Sequence, residues 1–286
     1  MTLLFLQLSL FDMSLPCHNC SHRRTAFVVV ERSVMSGITN RQSIDPLQSL
    51  PEESRKKHSR QLLLFVGGGL LWSFAVMLMI MLALFVHAHR QPYPFEVITS
   101  RDIQRTITAP WIGATFRFLT MINDPIPDVV TVILTLVVFV LFHWFRPAIF
   151  LALSTCIGNG VDALIGDLVQ RPRPAPNLIH VDSRLIFNSF PSGHSCHMMV
   201  FYGFLLFLSF TRPVRAWRYH WLVILFQIWA MANILLVGFA RLWEGEHWLL
   251  DVIGGYLDGA IWMSLFIVLF LWARKRFFEK KREQAA

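Results

Sequence analysis

Six long apolar segments, at about 62–87, 128–145, 148–169, 194–211, 219–240 and 248–272, constrain this chain more than any other feature of its sequence. Each is close to the ~20 residues a helix needs to cross a bilayer core. Backbone polar groups cannot go unpaired in lipid, so such segments must be helices. Of the 286 residues, 55% are hydrophobic and 15% charged, too little polar surface for a soluble domain. The expected fold is all-α: a polytopic membrane protein with a six-transmembrane-helix bundle.

The formal net charge is +8, but the basic residues gather in short runs beside the apolar segments. That distribution fits membrane topology and anionic headgroups, and argues against nucleic acid as a partner. Arg55, Lys56, Lys57 and Arg60 precede the first segment, Arg146 follows the second, and Arg212, Arg215 and Arg218 follow the fourth. Another basic run, Arg274 to Arg282, follows the sixth. In an alternating bundle these places share one face, which the positive-inside rule makes cytoplasmic, with both termini. The expected location is the plasma (inner) membrane. In the loop 88–127, Ile103, Ile107, Trp111, Ala114 and Phe118 follow helical spacing and predict a helix along the extracytoplasmic interface. The expected domains are a cytoplasmic, disordered tail over 1–60, the membrane domain over 61–273 and a basic cytoplasmic tail over 274–286.

Three polar motifs interrupt the apolar text: Arg171-Pro172-Arg173-Pro174, Pro191-Ser192-Gly193-His194, and Arg241 followed by His247 and Asp251. Arginine and histidine are costly in lipid, so a cluster of them at the bundle rim marks a candidate site. Arg173 follows the third segment, His194 opens the fourth, Arg241 closes the fifth, and His247 and Asp251 open the sixth. Alternation puts these helix ends on one face, opposite the basic loops. Guanidinium groups match phosphate oxygens. The Ser192 and Gly193 N–H groups, ahead of a helix start, suit an anion. His247 and Asp251 are i and i+4, so the carboxylate can orient the imidazole for attack. His194, from another helix, can protonate a leaving oxygen.

These motifs resemble those of the type 2 phosphatidic acid phosphatase family, lipid phosphatases that share a core with vanadium haloperoxidases. That family's pattern is Lys-x6-Arg-Pro, Pro-Ser-Gly-His and Ser-Arg-x5-His-x3-Asp. The resemblance covers about residues 62–272, with the specific signal in 166–251. It implies a metal-independent phosphohydrolase that needs no cofactor. His247 would be the nucleophile forming a phosphohistidine, Asp251 its orienting partner and His194 the acid. Arg173, Ser192, Gly193 and Arg241 would cradle the phosphate. Two positions depart from the pattern: Gly166 stands at the lysine and Ala240 at the serine. Arg171 is the expected replacement cation. The substrate would be a lipid phosphate, with phosphatidic acid, a polyprenyl diphosphate and phosphatidylglycerol phosphate all fitting. A lipid phosphotransferase and a non-catalytic lipid-phosphate binder remain alternatives.

Other patterns are read as structural. His194 and His197 form an HxxH, with His197 expected to pack inside the bundle. Cys17 and Cys20 form a lone CxxC with no second pair at zinc-site spacing, so no metal is expected. Asp162 and Asp258 lie within spans and are expected to face inward, onto Asn159, Asn233 or Gln227. Tyr93, Trp111, Trp243, Trp248 and Trp272 are expected as interfacial anchors.

Overall fold

A computed structural model describes residues 52–183, 186–215 and 217–284. They fall into two units, Met1–Leu71 and Trp72–Ala286, and the second holds every residue of the three motifs. Cys17 and Cys20 lie outside the described residues, as does most of the expected tail. From Glu52 onward that tail is helical.

The described residues form helices, with no strands among them. They are α1 (Glu52–Ala88), α2 (Pro94–Thr106), α3 (Pro110–Ile122), α4 (Pro125–Leu141), α5 (Phe145–Val169), α6 (Gly193–His197), a π-helical turn (Met198–Tyr202), α7 (Gly203–Ser209), α8 (Arg212–Arg215), α9 (His220–Trp243) and α10 (Leu249–Gln284). Four stretches are long and apolar enough to cross a membrane: Leu63–Ala88, Phe145–Val169, His220–Trp243 and Leu249–Arg276. A fifth arises if α3 and α4, bent by 61° at their junction, count as one span. The segment expected over 194–211 is divided by the π-helical turn, so it does not form one long α-helix. Such turns interrupt the i→i−4 ladder, often at functional sites.

Proline sets the helix starts. Pro94, Pro110 and Pro125 each sit in a first turn, where their missing N–H costs nothing. The residue before a proline is driven out of the helical region. Ala109 is accordingly extended, and the amphipathic stripe over 103–118 is divided between α2 and α3. α3 buries Gly113, Phe116, Leu119 and Thr120, leaving Trp111 and Phe118 exposed.

α10 is the organising helix of the second unit, packing on α5 and α6. Its glycines permit very close approach. A Cβ on Gly255 would lie 2.3 Å from the Ser192 carbonyl oxygen, and one on Gly259 2.7 Å from that of Cys196. The turn at Ser192 and the start of α6, which carries His194, are thereby pressed against α10. We expect Gly255→Ala to lose about 1–3 kcal/mol, the usual cost of overpacking. Gly160→Ala, where an added Cβ meets nothing within 4 Å, should be neutral or gain up to about 1 kcal/mol of helix propensity. Thermal unfolding in detergent compares them, and equal melting temperatures would show that the close approach is not limiting.

Candidate active site

His247 lies in the short connection between α9 and α10 and is buried. Its Nδ1 is 2.8 Å from the carbonyl oxygen of Ser189. A carbonyl only accepts, so Nδ1 carries the hydrogen and Nε2 keeps its lone pair. Nε2 faces Arg173, whose Nη1 is 3.3 Å away. Burial, the largest cause, lowers the His247 pKa, with the Arg173 charge adding to the effect. The imidazole is therefore held neutral, with Nε2 accepting from the Arg173 guanidinium.

Asp251 acts less directly than the i,i+4 spacing suggests. Its Oδ2 is 3.8 Å from His247 Nδ1, beyond hydrogen-bond reach. It accepts instead from Ser189 Oγ at 2.5 Å, from the Trp248 N–H at 2.8 Å and from Arg171 Nη1 at 2.6 Å. Ser189 thus holds the histidine with its carbonyl and the aspartate with its hydroxyl. Sequence reading missed this residue, and no motif signals it.

Arg171 is not at the phosphate position. It is fully buried, with Nη2 2.5 Å from Glu96 Oε2 and Nη1 on Asp251. The Glu96 carboxylate also accepts the Tyr93 and Leu250 N–H groups, at 3.0 and 3.1 Å. An arginine locked between two buried carboxylates cannot replace the lysine absent at Gly166. Gly166 itself faces the chain before α6, and a Cβ there would sit 3.3 Å from the Phe190 carbonyl oxygen.

Arg173 is anchored by Nε to the Phe187 carbonyl and by Nη1 to that of Glu246, both at 2.9 Å. Arg241 is contacted by Glu246 and His194, with Asp124 Oδ1 at 3.4 Å and Glu244 Oε2 at 3.5 Å. Asp124 also lies 3.9 Å from His194 Nε2. Asp124, Glu244 and Glu246 were not singled out from the sequence, although two of them lie inside the third motif. The structure therefore brings Arg173, His194, Arg241, His247 and Asp251 together and leaves Arg171 behind them. The Ser192 N–H is committed to the Asp251 carbonyl at 2.9 Å, so of that pair only Gly193, which is exposed, presents its N–H.

Several structural readings shift. His197 packs inside as expected, with Nε2 2.9 Å from Asp128 and Nδ1 2.8 Å from Asn159. Asn233 bonds Asn123 and Gln227 bonds Ser209, so neither meets Asp162 or Asp258. Trp248 is fully buried and is no interfacial anchor, whereas Trp111 and Trp272 are exposed.

Among the described residues, helices long and apolar enough to cross a membrane gather two arginines, two histidines and an aspartate at their ends, which defines the class: an integral membrane protein with a charged cluster at its helix ends. Residues 147–276 match the family model described as the PAP2 superfamily, in agreement with the motifs. The chain is similar to a bacitracin transport permease protein, BcrC, of Bacillus licheniformis, at 30% identity over 122 residues. That match covers 42% of this chain and 53% of the relative, so the chain spans about half the length of the curated relative it matches. Its fold is similar to that of a transmembrane PAP2-type phosphatidylglycerolphosphate phosphatase from Bacillus subtilis, with a TM-score of 0.55 and 19% identity. That likeness covers 73% of this chain and 96% of the other.

Glu244 gives the site a pH signature. Burial, against the hydrogen bond from Thr120 and the Arg241 charge, pushes its carboxyl up from 4.5 to about 7. The folded chain then keeps a proton that the unfolded chain has released, so this group's contribution to stability falls as pH rises through that window. Glu244→Gln removes the titration and keeps an acceptor for Thr120. Its melting temperature should rise relative to wild type between pH 4.5 and 7 and hold that gain above. A difference independent of pH would show that Glu244 is already ionised at the lower end.

Proposed function

We propose that this chain is an integral-membrane lipid phosphate phosphatase working through a phosphohistidine. The observation that carries the reading is His247: its Nδ1–H is held by Ser189, and its Nε2 lone pair faces Arg173. Nε2 attacks phosphorus and forms an N–P bond as the P–O bond to the lipid breaks. His194, entering the step as imidazolium, gives a proton to the departing oxygen and becomes neutral. Water then attacks the phosphohistidine, His194 takes a proton from it, and the N–P bond breaks to release phosphate. Arg173, Arg241 and the Gly193 N–H hold the equatorial oxygens as charge builds. These steps call on no metal.

Counting α3 with α4 as one span and α6 with α7 as another gives the six-span arrangement. The motifs then open at the extracytoplasmic rim, where a headgroup sits with its tails in the bilayer. The similarity to a phosphatidylglycerolphosphate phosphatase supports a lipid phosphate as substrate. Phosphatidic acid, a polyprenyl diphosphate and phosphatidylglycerol phosphate are the candidates. A second reading, a lipid-phosphate binder without turnover, draws on Gly166 and on the carboxylates around Arg241.

Phosphate release from the three lipids in mixed micelles, with EDTA present, tests this. Release should survive EDTA, and His247→Ala should lower it at least ~10³-fold while leaving a folded protein. A folded wild type that releases no phosphate but retains lipid phosphate would establish the binder. For topology, a single cysteine in loop 174–190 should react with an impermeant reagent on intact cells; labelling only after permeabilisation would reverse the orientation.

A further inference from the structure

Beneath the Ser192–Gly193 turn lies a second cluster that the proposed chemistry does not use. Asp162 of α5, Cys196 of α6 and Asp258 of α10 each offer a ligand atom, and all three atoms lie within 4.8 Å of one another. Their exposures are 6%, 0% and 2%. The Cys196 thiol is 3.5 Å from Asp258 Oδ2, and Trp262 Nε1 donates to Asp258 Oδ1 at 3.2 Å. Asp162 keeps one oxygen unpaired: its Oδ1 is buried without a hydrogen-bond partner.

Two carboxylates this close, away from water, cannot both remain ionised without a counter-charge. The neighbouring cations are committed elsewhere: Arg171 to Glu96 and Asp251, Arg173 to two carbonyls, Arg241 to Glu246. A lysine at 166 would stand one helical turn from Asp162, at the spacing of an i,i+4 ion pair. Glycine there removes that partner. What remains is a thiol and two carboxylates converging from three helices, a sulfur–oxygen donor set that suits zinc and its congeners.

We propose that Asp162, Cys196 and Asp258 form a structural site for a thiophilic divalent cation of the zinc class, tying α5, α6 and α10 together beneath the phosphate turn. Binding replaces the thiol proton, released to solvent, by a metal–sulfur bond; the two positive charges balance the thiolate and one carboxylate, and the second carboxyl keeps its proton. The site stands apart from His247 and does not depend on the phosphatase reading.

Cadmium is the probe, because its bond to thiolate gives an ultraviolet charge-transfer band. The full-length chain carries Cys17, Cys20 and Cys156 replaced by serine, so that Cys196 is the single thiol. We expect about one cadmium per chain with that band, its loss in Cys196→Ser, and at least ~10-fold weaker binding in Asp162→Asn and Asp258→Asn. Zinc should raise the melting temperature of the parent and not of Cys196→Ser. Absence of the band, or undiminished affinity in both asparagine variants, would overturn the site. So would asparagine variants that match or exceed the zinc-loaded parent in melting temperature, since a proton shared between the carboxylates would then be the counter-charge.

Discussion

The ion triad Glu96–Arg171–Asp251 is the contact on which the site depends. It joins α2, the chain after α5 and the first turn of α10, and all three side chains are fully buried. Burying such a group is costly, and its stabilisation over an apolar replacement is small or negative. Breaking it is another matter: removing one partner leaves an uncompensated buried charge, at about 3–5 kcal/mol. The triad is therefore better understood as a registration device. Arg171 fixes the chain two residues before Arg173, and its other carboxylate, Asp251, is held by the Ser189 hydroxyl. The same residue's carbonyl sets the His247 tautomer. One buried arginine thus links the chain that carries Arg173 to the contacts that hold His247.

This dependence explains what was legible in the sequence. The apolar segments announced helices because lipid enforces a length and a periodicity that local sequence records. His194, Arg241, His247 and Asp251 announced a site because polar residues at helix ends of one parity must converge. Glu96 was not legible: its partner lies 75 residues away, and in the loop 88–127 it reads as one charge among several. Ser189 was hidden because half of its role belongs to a backbone carbonyl. Arg171 was expected to replace the lysine missing at Gly166 because it sits two residues from Arg173, and its burial between Glu96 and Asp251 depends on partners far away in sequence. The π-helical turn at Met198–Tyr202 has no apolar period of its own to betray it.

The surroundings of Arg241 modify the simple picture of a basic cradle. Glu246 contacts its Nη1, Asp124 lies near its Nη2, and Glu244 stands on the same side. Ser183 donates to the other oxygen of Glu246, which keeps that carboxylate in place. In the phosphatase proposed above, an incoming phosphate would displace carboxylates from the arginine rather than water. This exchange of one anion for another limits how tightly the ground state binds. It also means that Arg241 is already desolvated and oriented before substrate arrives.

For catalysis, that preorganisation matters more than affinity. Interactions speed a reaction only when they are stronger in the transition state than in the ground state. A displaced Glu246 carboxylate close to a phosphate dianion opposes binding, while two fixed guanidinium groups and the Gly193 N–H favour the charge distribution of the transferring phosphoryl group. The absence of a lysine at Gly166 acts in the same direction by withholding a cation that would stabilise bound phosphate. Product phosphate, held by fewer cations, then leaves more readily. In the phosphatase proposed above, the departures from the family pattern would tune the balance between binding and release, while His194, His247 and the Ser189 carbonyl that sets its tautomer remain in place.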